Sequence, residues 1–84
     1  MTGRKVDEMK VWVAMYEHKY GTDVCVFSTE EKAWAWADGI AREWWGEEIM
    51  NEDLPEVEPG KAYFERMADR GEFFTVQKSV IDSI

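Results

Sequence analysis

The feature that most constrains this fold is a strand-like run, residues 10–18, whose two faces are both apolar. Successive side chains of a strand point to opposite faces. One face would carry Val11, Val13 and Met15, and the other would carry Trp12, Ala14 and Tyr16. A strand with two apolar faces is expected at the centre of a sheet. Gly21 suits a turn and residues 22–28 suit a returning strand, which predicts a β-hairpin.

A long helix is predicted after the hairpin. Ser28 and Glu31 have the spacing of a capping box, so the helix should begin there and run to about residue 50. The stripe expected to face the sheet contains Ala33, Trp36, Ala37, Ile40 and Trp44. A second stripe on its flank contains Trp34, Ala41 and Trp45. Gly39 and Gly46 lie on the far side and each costs about 1 kcal/mol, so this helix depends on its packing.

The last third of the chain predicts a second helix and a third strand. Residues 51–60 form an acidic linker, and Pro59 is suited to open a helix. That helix would place Tyr63, Phe64, Met67 and Ala68 on one side. Gly71 is suited to its C-terminal end. Residues 72–81 alternate like a strand, with Phe74, Val76 and Val80 on one face.

The predicted fold class is α+β, with element order β-β-α-α-β. Three antiparallel strands and two helices form two layers in a single domain, residues 10–84, preceded by a polar arm, residues 1–9. If both helices cover one face of the sheet, the other face keeps an apolar patch. That patch is either the Trp12, Tyr16 and Phe27 set or the Val11, Val13 and Met15 set. An exposed apolar patch is typical of a partner or dimer surface.

No combination of residues predicts catalysis. His18 and Cys25 are the one candidate thiolate–imidazole pair, but they are better explained as an exposed turn residue and a small buried hydrophobe. No Cys/His spacing suits zinc, and no glycine-rich loop suits phosphate. We therefore expect no enzymatic activity, no cofactor and no metal.

The charge of the chain favours one class of partner. The net charge of −8 disfavours direct contact with nucleic acid and with anionic membranes, and it favours a basic protein surface. A single cysteine allows no internal disulfide, and no stretch resembles a signal peptide or a membrane span. These features predict a cytoplasmic protein, in its native cell or in a host cell.

The negative charge is concentrated in one segment. Residues 30–58 contain ten acids and two bases, and residues 43–58 contain seven acids and no base. The predicted partner-binding residues are these acids with two tryptophans: Glu43, Trp45, Glu47, Glu48, Glu52, Asp53, Glu56, Glu58 and Trp34. An acidic surface with an exposed indole is a plausible hot spot for an arginine-rich partner. The alternative is a solvated helix end and loop with both adjacent tryptophans buried.

Two functions of different class follow. The first is a non-enzymatic binding module that docks on a basic protein surface and, in its sharper form, occupies a nucleic-acid groove. In size, acidity and aromatic content over the whole chain, the protein resembles the small acidic phage-encoded anti-CRISPR proteins. That resemblance implies inhibition of a bacterial CRISPR-Cas defence complex and assigns no residue. The second function is a structural domain that forms homo-oligomers, such as a homodimer, through the open sheet face.

Overall fold

The computed structural model describes residues 8–82 and the side chains of residues 10–80. The elements are β1 (Glu8–His18), β2 (Gly21–Phe27), α1 (Glu30–Glu48), α2 (Pro59–Met67), a 3-10 turn (Ala68–Arg70) and β3 (Phe73–Asp82). The predicted α+β class and element order are confirmed. The strand β1 begins at residue 8, so it includes two residues assigned to the polar arm, and residues 1–7 lie outside the described part.

The sheet is antiparallel and has the strand order β2-β1-β3, so β1 is central as predicted. Trp12 pairs with Phe27 of β2 and with Lys78 of β3. Tyr16 pairs in the same way with Asp23 and Phe74. These registers place the even-numbered residues of β1 on the face that the helices cover.

Helix α1 begins one residue later than the capping-box spacing predicted. Its N-cap is Thr29, whose Oγ1 accepts a hydrogen bond from the backbone N–H of Lys32 at 3.1 Å. The hydroxyl of Ser28 instead accepts from the Lys32 ammonium. The helix buries three alanines spaced four residues apart, Ala33, Ala37 and Ala41. Trp45 continues this row one turn further along. This narrow ridge allows α2 to approach closely.

Helix α2 is held against α1 at its first turn. Pro59 opens the helix as predicted, and a Cβ added to Gly60 would lie 2.6 Å from the carbonyl carbon of Ala37. Glu58, the N-cap, has a left-handed backbone (φ 49°) and makes no capping bond with its side chain. The cap comes from the other helix, because Asp38 Oδ1 accepts from the N–H of Gly60 at 2.9 Å.

The core lies between the helices and the even-numbered face of β1. Tyr63 and Met67 are its largest fully buried side chains. Ala68, predicted on the same side, is exposed because the helix tightens into the 3-10 turn there. Gly71 ends this turn with φ 80°, which agrees with the predicted role. Val80 is about half exposed because it lies towards the end of β3, away from the helices.

Neither of the two helices in residues 8–82 covers the other face of the sheet. Of the two apolar sets predicted for the open face, the structure places Val11, Val13 and Met15 there, since Trp12 and Tyr16 pack against the core. Val24 and Val26 of β2 and Phe73 of β3 share this face and are exposed. Val11 is buried and Val13 and Met15 are half-buried, so the exposed apolar side chains of this face are mainly those of β2 and Phe73.

Candidate binding site

A groove lies on the helix side of the sheet, between the tip of the β1–β2 hairpin and the C-terminal half of α1. Its volume is about 320 Å³. Aromatic and acidic side chains dominate its walls, which are formed by Tyr16, His18, Lys19, Tyr20, Asp23, Trp44, Glu48, Tyr63 and Glu72. Four elements contribute to it, so the groove exists only in the folded chain.

Helix α1 forms one wall of the groove. Trp44 and Glu48 are one turn apart and both line the groove. Trp44 was expected to face the core, yet it is 39% exposed and faces the groove. Glu43 and Glu47 are one turn apart on the same side of Trp44, and both are exposed. Their carboxylates make no ion pair with another described residue.

The hairpin tip supplies an ordered opposite wall. His18 Nδ1 accepts from the backbone N–H of Tyr20 at 3.2 Å, so the ring proton lies on Nε2, which is 3.0 Å from Asp23 Oδ2. The ring centroid of His18 lies 4.7 Å from that of Tyr16. His18 was expected to be an exposed turn residue, but these contacts leave its side chain only 18% exposed. The imidazole of His18 therefore stabilises the hairpin tip.

Glu72 gives the inner end of the groove a negative charge. The Tyr16 hydroxyl donates to Glu72 Oε1 at 3.5 Å. Burial, and then the charge and hydrogen bond of Glu72, raise the pKa of Tyr16 to about 12, with smaller contributions from Asp23 and Glu43. Burial followed by the charge of Glu72 also raises the pKa of Tyr63. The two tyrosines therefore stay neutral at physiological pH.

Trp45, predicted as an exposed partner-binding residue, is buried. It is 4% exposed, its indole N–H donates to the carbonyl of Glu52 at 2.7 Å, and the guanidinium of Arg66 lies 5.4 Å from its ring centroid. Helix α2 covers this side of α1, because the alanine ridge permits close packing. Of the two adjacent tryptophans, Trp44 has the accessible indole, so the prediction of Trp45 as the exposed partner-binding residue was wrong.

The acidic stretch does not form one continuous free surface. Three of its predicted binding residues are paired with bases: Glu48 with Arg70 at 2.8 Å, Glu52 with Arg66 at 2.6 Å, and Glu58 with Lys61 at 3.0 Å. The bidentate contact with Arg66 lowers the pKa of Glu52. The other four, which make no ion pair with a described residue, are Glu43, Glu47, Asp53 and Glu56.

Trp34 lies apart from the groove. Its ring packs 5.4 Å from Phe74, centroid to centroid, and the Lys61 ammonium lies 5.0 Å from its centroid. It lines a separate shallow hollow with Phe64 and Phe73. The structure therefore does not bring Trp34 together with Glu43 and the other carboxylates of the C-terminal half of α1.

No known protein family, curated protein or solved structure matches this chain. Its function is inferred from its own geometry. Within residues 8–82, no group of three or more His, Cys, Asp and Glu side chains is placed to hold a metal ion. No helix in that range is long and apolar enough to cross a membrane.

Cys25, expected to be buried, is exposed on the edge strand β2, and the structure pairs His18 with Asp23 and not with Cys25.

Sequence reasoning missed most of the groove. The acids of α1 were identified from charge alone, but Tyr16, Tyr63 and Glu72 lie far apart in sequence and meet only through the packing of α2 and β3. One usable signal was present. Trp44 and Glu48 have the four-residue spacing that puts them on one helix face.

Proposed function

We propose that this protein is a non-enzymatic binding module that docks on a basic protein surface. The docking surface is the C-terminal half of α1 together with the adjoining groove. The observation that carries this proposal is the exposed indole of Trp44, which lies beside the exposed carboxylates of Glu43 and Glu47 on the surface of α1. Interfaces are typically anchored by an aromatic residue that is solvent-exposed in the free protein and surrounded by charges complementary to those of the partner.

The charge of the molecule supports the same class of partner. The net charge of −8 steers a basic surface towards the protein and raises its association rate at low ionic strength. The ion pairs of Glu52 with Arg66 and of Glu58 with Lys61 partly neutralise the acidic loop, whereas Glu43 and Glu47 of α1 make no ion pair with a described residue. This leaves the α1 side as the better docking surface. In its narrower form, the proposal is that the partner surface is a nucleic-acid cleft of a bacterial CRISPR-Cas complex, as the resemblance implies.

The test uses a short oligoarginine peptide as a stand-in for the basic surface. Replacing Glu43 and Glu47 together by glutamine should weaken peptide binding about tenfold, since each exposed ion pair contributes about 0.2–1 kcal/mol. Isothermal titration calorimetry at about 50 mM and about 500 mM NaCl would measure the affinity and its dependence on salt.

The matched control removes the same charge elsewhere. Glu31→Gln combined with Glu65→Gln alters two exposed carboxylates, one in the first turn of α1 and one on α2. This pair should change the affinity by less than about threefold, because only long-range attraction is lost. Equal losses in the two double variants would contradict a docking surface on α1 and indicate attraction by net charge alone.

Self-association is a second candidate function, and the open sheet face favours it. Val24, Val26 and Phe73 are about half exposed on a face that no described helix covers. This function predicts a mass by sedimentation equilibrium that rises with concentration, and a monomer after Val26→Lys. A monomer at every concentration in the unmodified chain would contradict it.

A further inference from the structure

The carboxylate of Glu72 can accept more hydrogen bonds than the described side chains donate to it. The side chain is half-buried, and its one hydrogen bond from a described side chain, the Tyr16 hydroxyl, is long at 3.5 Å. It makes no ion pair within the described part of the chain. Partial burial of a carboxylate is costly unless a donor or cation accompanies it. The inner end of the groove is therefore suited to receive a cationic donor.

The walls of the groove suit a cation as well. Trp44 and Tyr20 stand at its mouth and are both exposed, and Tyr16 and Tyr63 line it further in. Ring faces attract cations within about 6 Å of the centroid. The rim already shows this contact, because the ammonium of Lys19 lies 5.4 Å from the ring centroid of Tyr20.

The charges around the groove do not cancel. Among the described residues, its lining carboxylates are Asp23, Glu48 and Glu72, and its one lining cation is Lys19. Arg70 neutralises Glu48 from outside the groove. One negative charge remains, and Glu43, close enough to contribute to the raised pKa of Tyr16, adds to it. A single additional cation would bring this site close to neutrality.

We infer that the groove receives one arginine side chain of the basic partner, with its guanidinium beside Trp44 and hydrogen-bonded to Glu72. This inference rests on the proposed function. Arginine is favoured over lysine because its planar group stacks on a ring while its fork of N–H donors engages a carboxylate. The volume of about 320 Å³ lies at the small end of ligand pockets, which suits one side chain.

The test titrates the full chain with N-acetyl-arginine N-methylamide and follows the Trp44 indole N–H by ¹H–¹⁵N NMR. The citrulline analogue has nearly the same shape without the charge, and the lysine analogue has the charge without the planar fork. We expect the arginine compound to bind most tightly and the citrulline compound to bind at least about tenfold more weakly, a difference of about 1.4 kcal/mol.

Two variants locate the contact. Glu72→Gln keeps the shape of the groove and should weaken arginine binding about tenfold, whereas the matched control Glu31→Gln should leave it unchanged. Glu31 lies seventeen residues before Glu48 on the same helix, about 25 Å away. Trp44→Ala should also weaken binding, which is followed in this variant through the backbone amide signals of the groove residues, with the helical circular dichroism spectrum checked for an intact fold.

The outcomes separate this inference from the proposed function. Equal binding of arginine and citrulline, or no effect of Glu72→Gln, would overturn the arginine site. If oligoarginine binding still depends on Glu43 and Glu47 in that case, the docking surface stands without the groove. If the capped arginine binds at Trp44 but oligoarginine binding ignores Glu43 and Glu47, the proposed docking surface fails and the groove remains as a separate site.

Discussion

At the scale of single residues, two glycines of similar appearance in the sequence have opposite roles. Gly60 lies where α2 meets α1, and a Cβ there would lie 2.7 Å from the Cβ of Ala37 and closer still to its backbone. Gly39 lies on the outer face of α1, and a Cβ there would meet nothing within 4 Å. Packing therefore requires one glycine and only tolerates the other.

This contrast gives a paired prediction. Gly60→Ala should lower the free energy of unfolding by about 3 kcal/mol, because the added methyl overlaps the backbone of α1. Gly39→Ala should raise it by about 1 kcal/mol, because alanine favours the helix and finds open space. Urea unfolding of the two variants measures both changes. An unaffected Gly60→Ala would mean that α2 does not pack on α1 as described, and a destabilised Gly39→Ala would mean that the outer face of α1 is not open at Gly39.

Tyr16 provides a residue-scale test of the groove. Its pKa of about 12 exceeds the ordinary value of 10.0, so the folded chain holds this proton more tightly than the unfolded chain. The resulting stabilisation is complete below the unfolded pKa and disappears as pH rises from 10.0 towards about 12. Glu72→Gln removes the charge of Glu72 from beside the Tyr16 hydroxyl and should lower this pKa, while burial, the largest cause, keeps it above 10.0.

The ¹³Cζ chemical shift of Tyr16, followed by NMR between about pH 9 and pH 12, reports this titration directly. Glu65→Gln is a suitable control, because Glu65 is not among the groups that affect Tyr16. A Tyr16 pKa that is the same in the Glu72→Gln variant and the parent chain would show that Glu72 does not face the ring.

At the scale of elements, α2 depends on a cap from its neighbour. Asp38 of α1 accepts from the N–H of Gly60, while Glu58 at the N-cap contributes no side-chain bond. Asp38→Ala should therefore cost about 1 kcal/mol of stability, and Asp38→Asn, which retains an acceptor oxygen, should cost less. Thermal unfolding of the two variants distinguishes them. Equal losses would indicate that charge at Asp38 matters more than capping.

The strands and helices could be predicted from local sequence patterns, but the way they pack against each other could not. The two apolar faces of residues 10–18 identified β1 as central, and proline placed the start of α2, because these signals act within a few residues. The choice between Trp44 and Trp45 needed the position of α2, which no local pattern carries. The alanine ridge of α1 was visible in the sequence and, together with Gly60, indicates close helix packing that buries Trp45.

The candidate site was predictable only in part for the same reason. Charge density pointed to α1, and Glu43 and Glu47 are exposed as expected. The loop carboxylates of Glu52 and Glu58 were expected to be free, but α2 supplies Arg66 and Lys61 to pair with them. Arg66 lies 14 residues beyond Glu52 in the sequence, so their pairing depends on tertiary structure. Lys61 lies three residues beyond Glu58, and this local pairing could have been predicted from helical spacing.

At the scale of the whole molecule, the two sides of the domain offer different surfaces. The helix side carries the acidic face of α1 and the aromatic groove, whereas the open sheet face carries exposed valines and Phe73. The first should bind in a manner that salt weakens, and the second in a manner that salt does not weaken. Salt dependence therefore distinguishes docking on a basic partner from self-association.

The five tryptophans allow one measurement to test the central claim that the exposed α1 face around Trp44 is the docking surface. Oligoarginine is titrated into ¹⁵N-labelled protein, and the five indole N–H signals are followed by NMR. We predict that the Trp44 signal moves most and that the signals of buried Trp45 and distant Trp34 move little. Shifts concentrated at Trp34, or shared equally by all five indoles, would contradict the account.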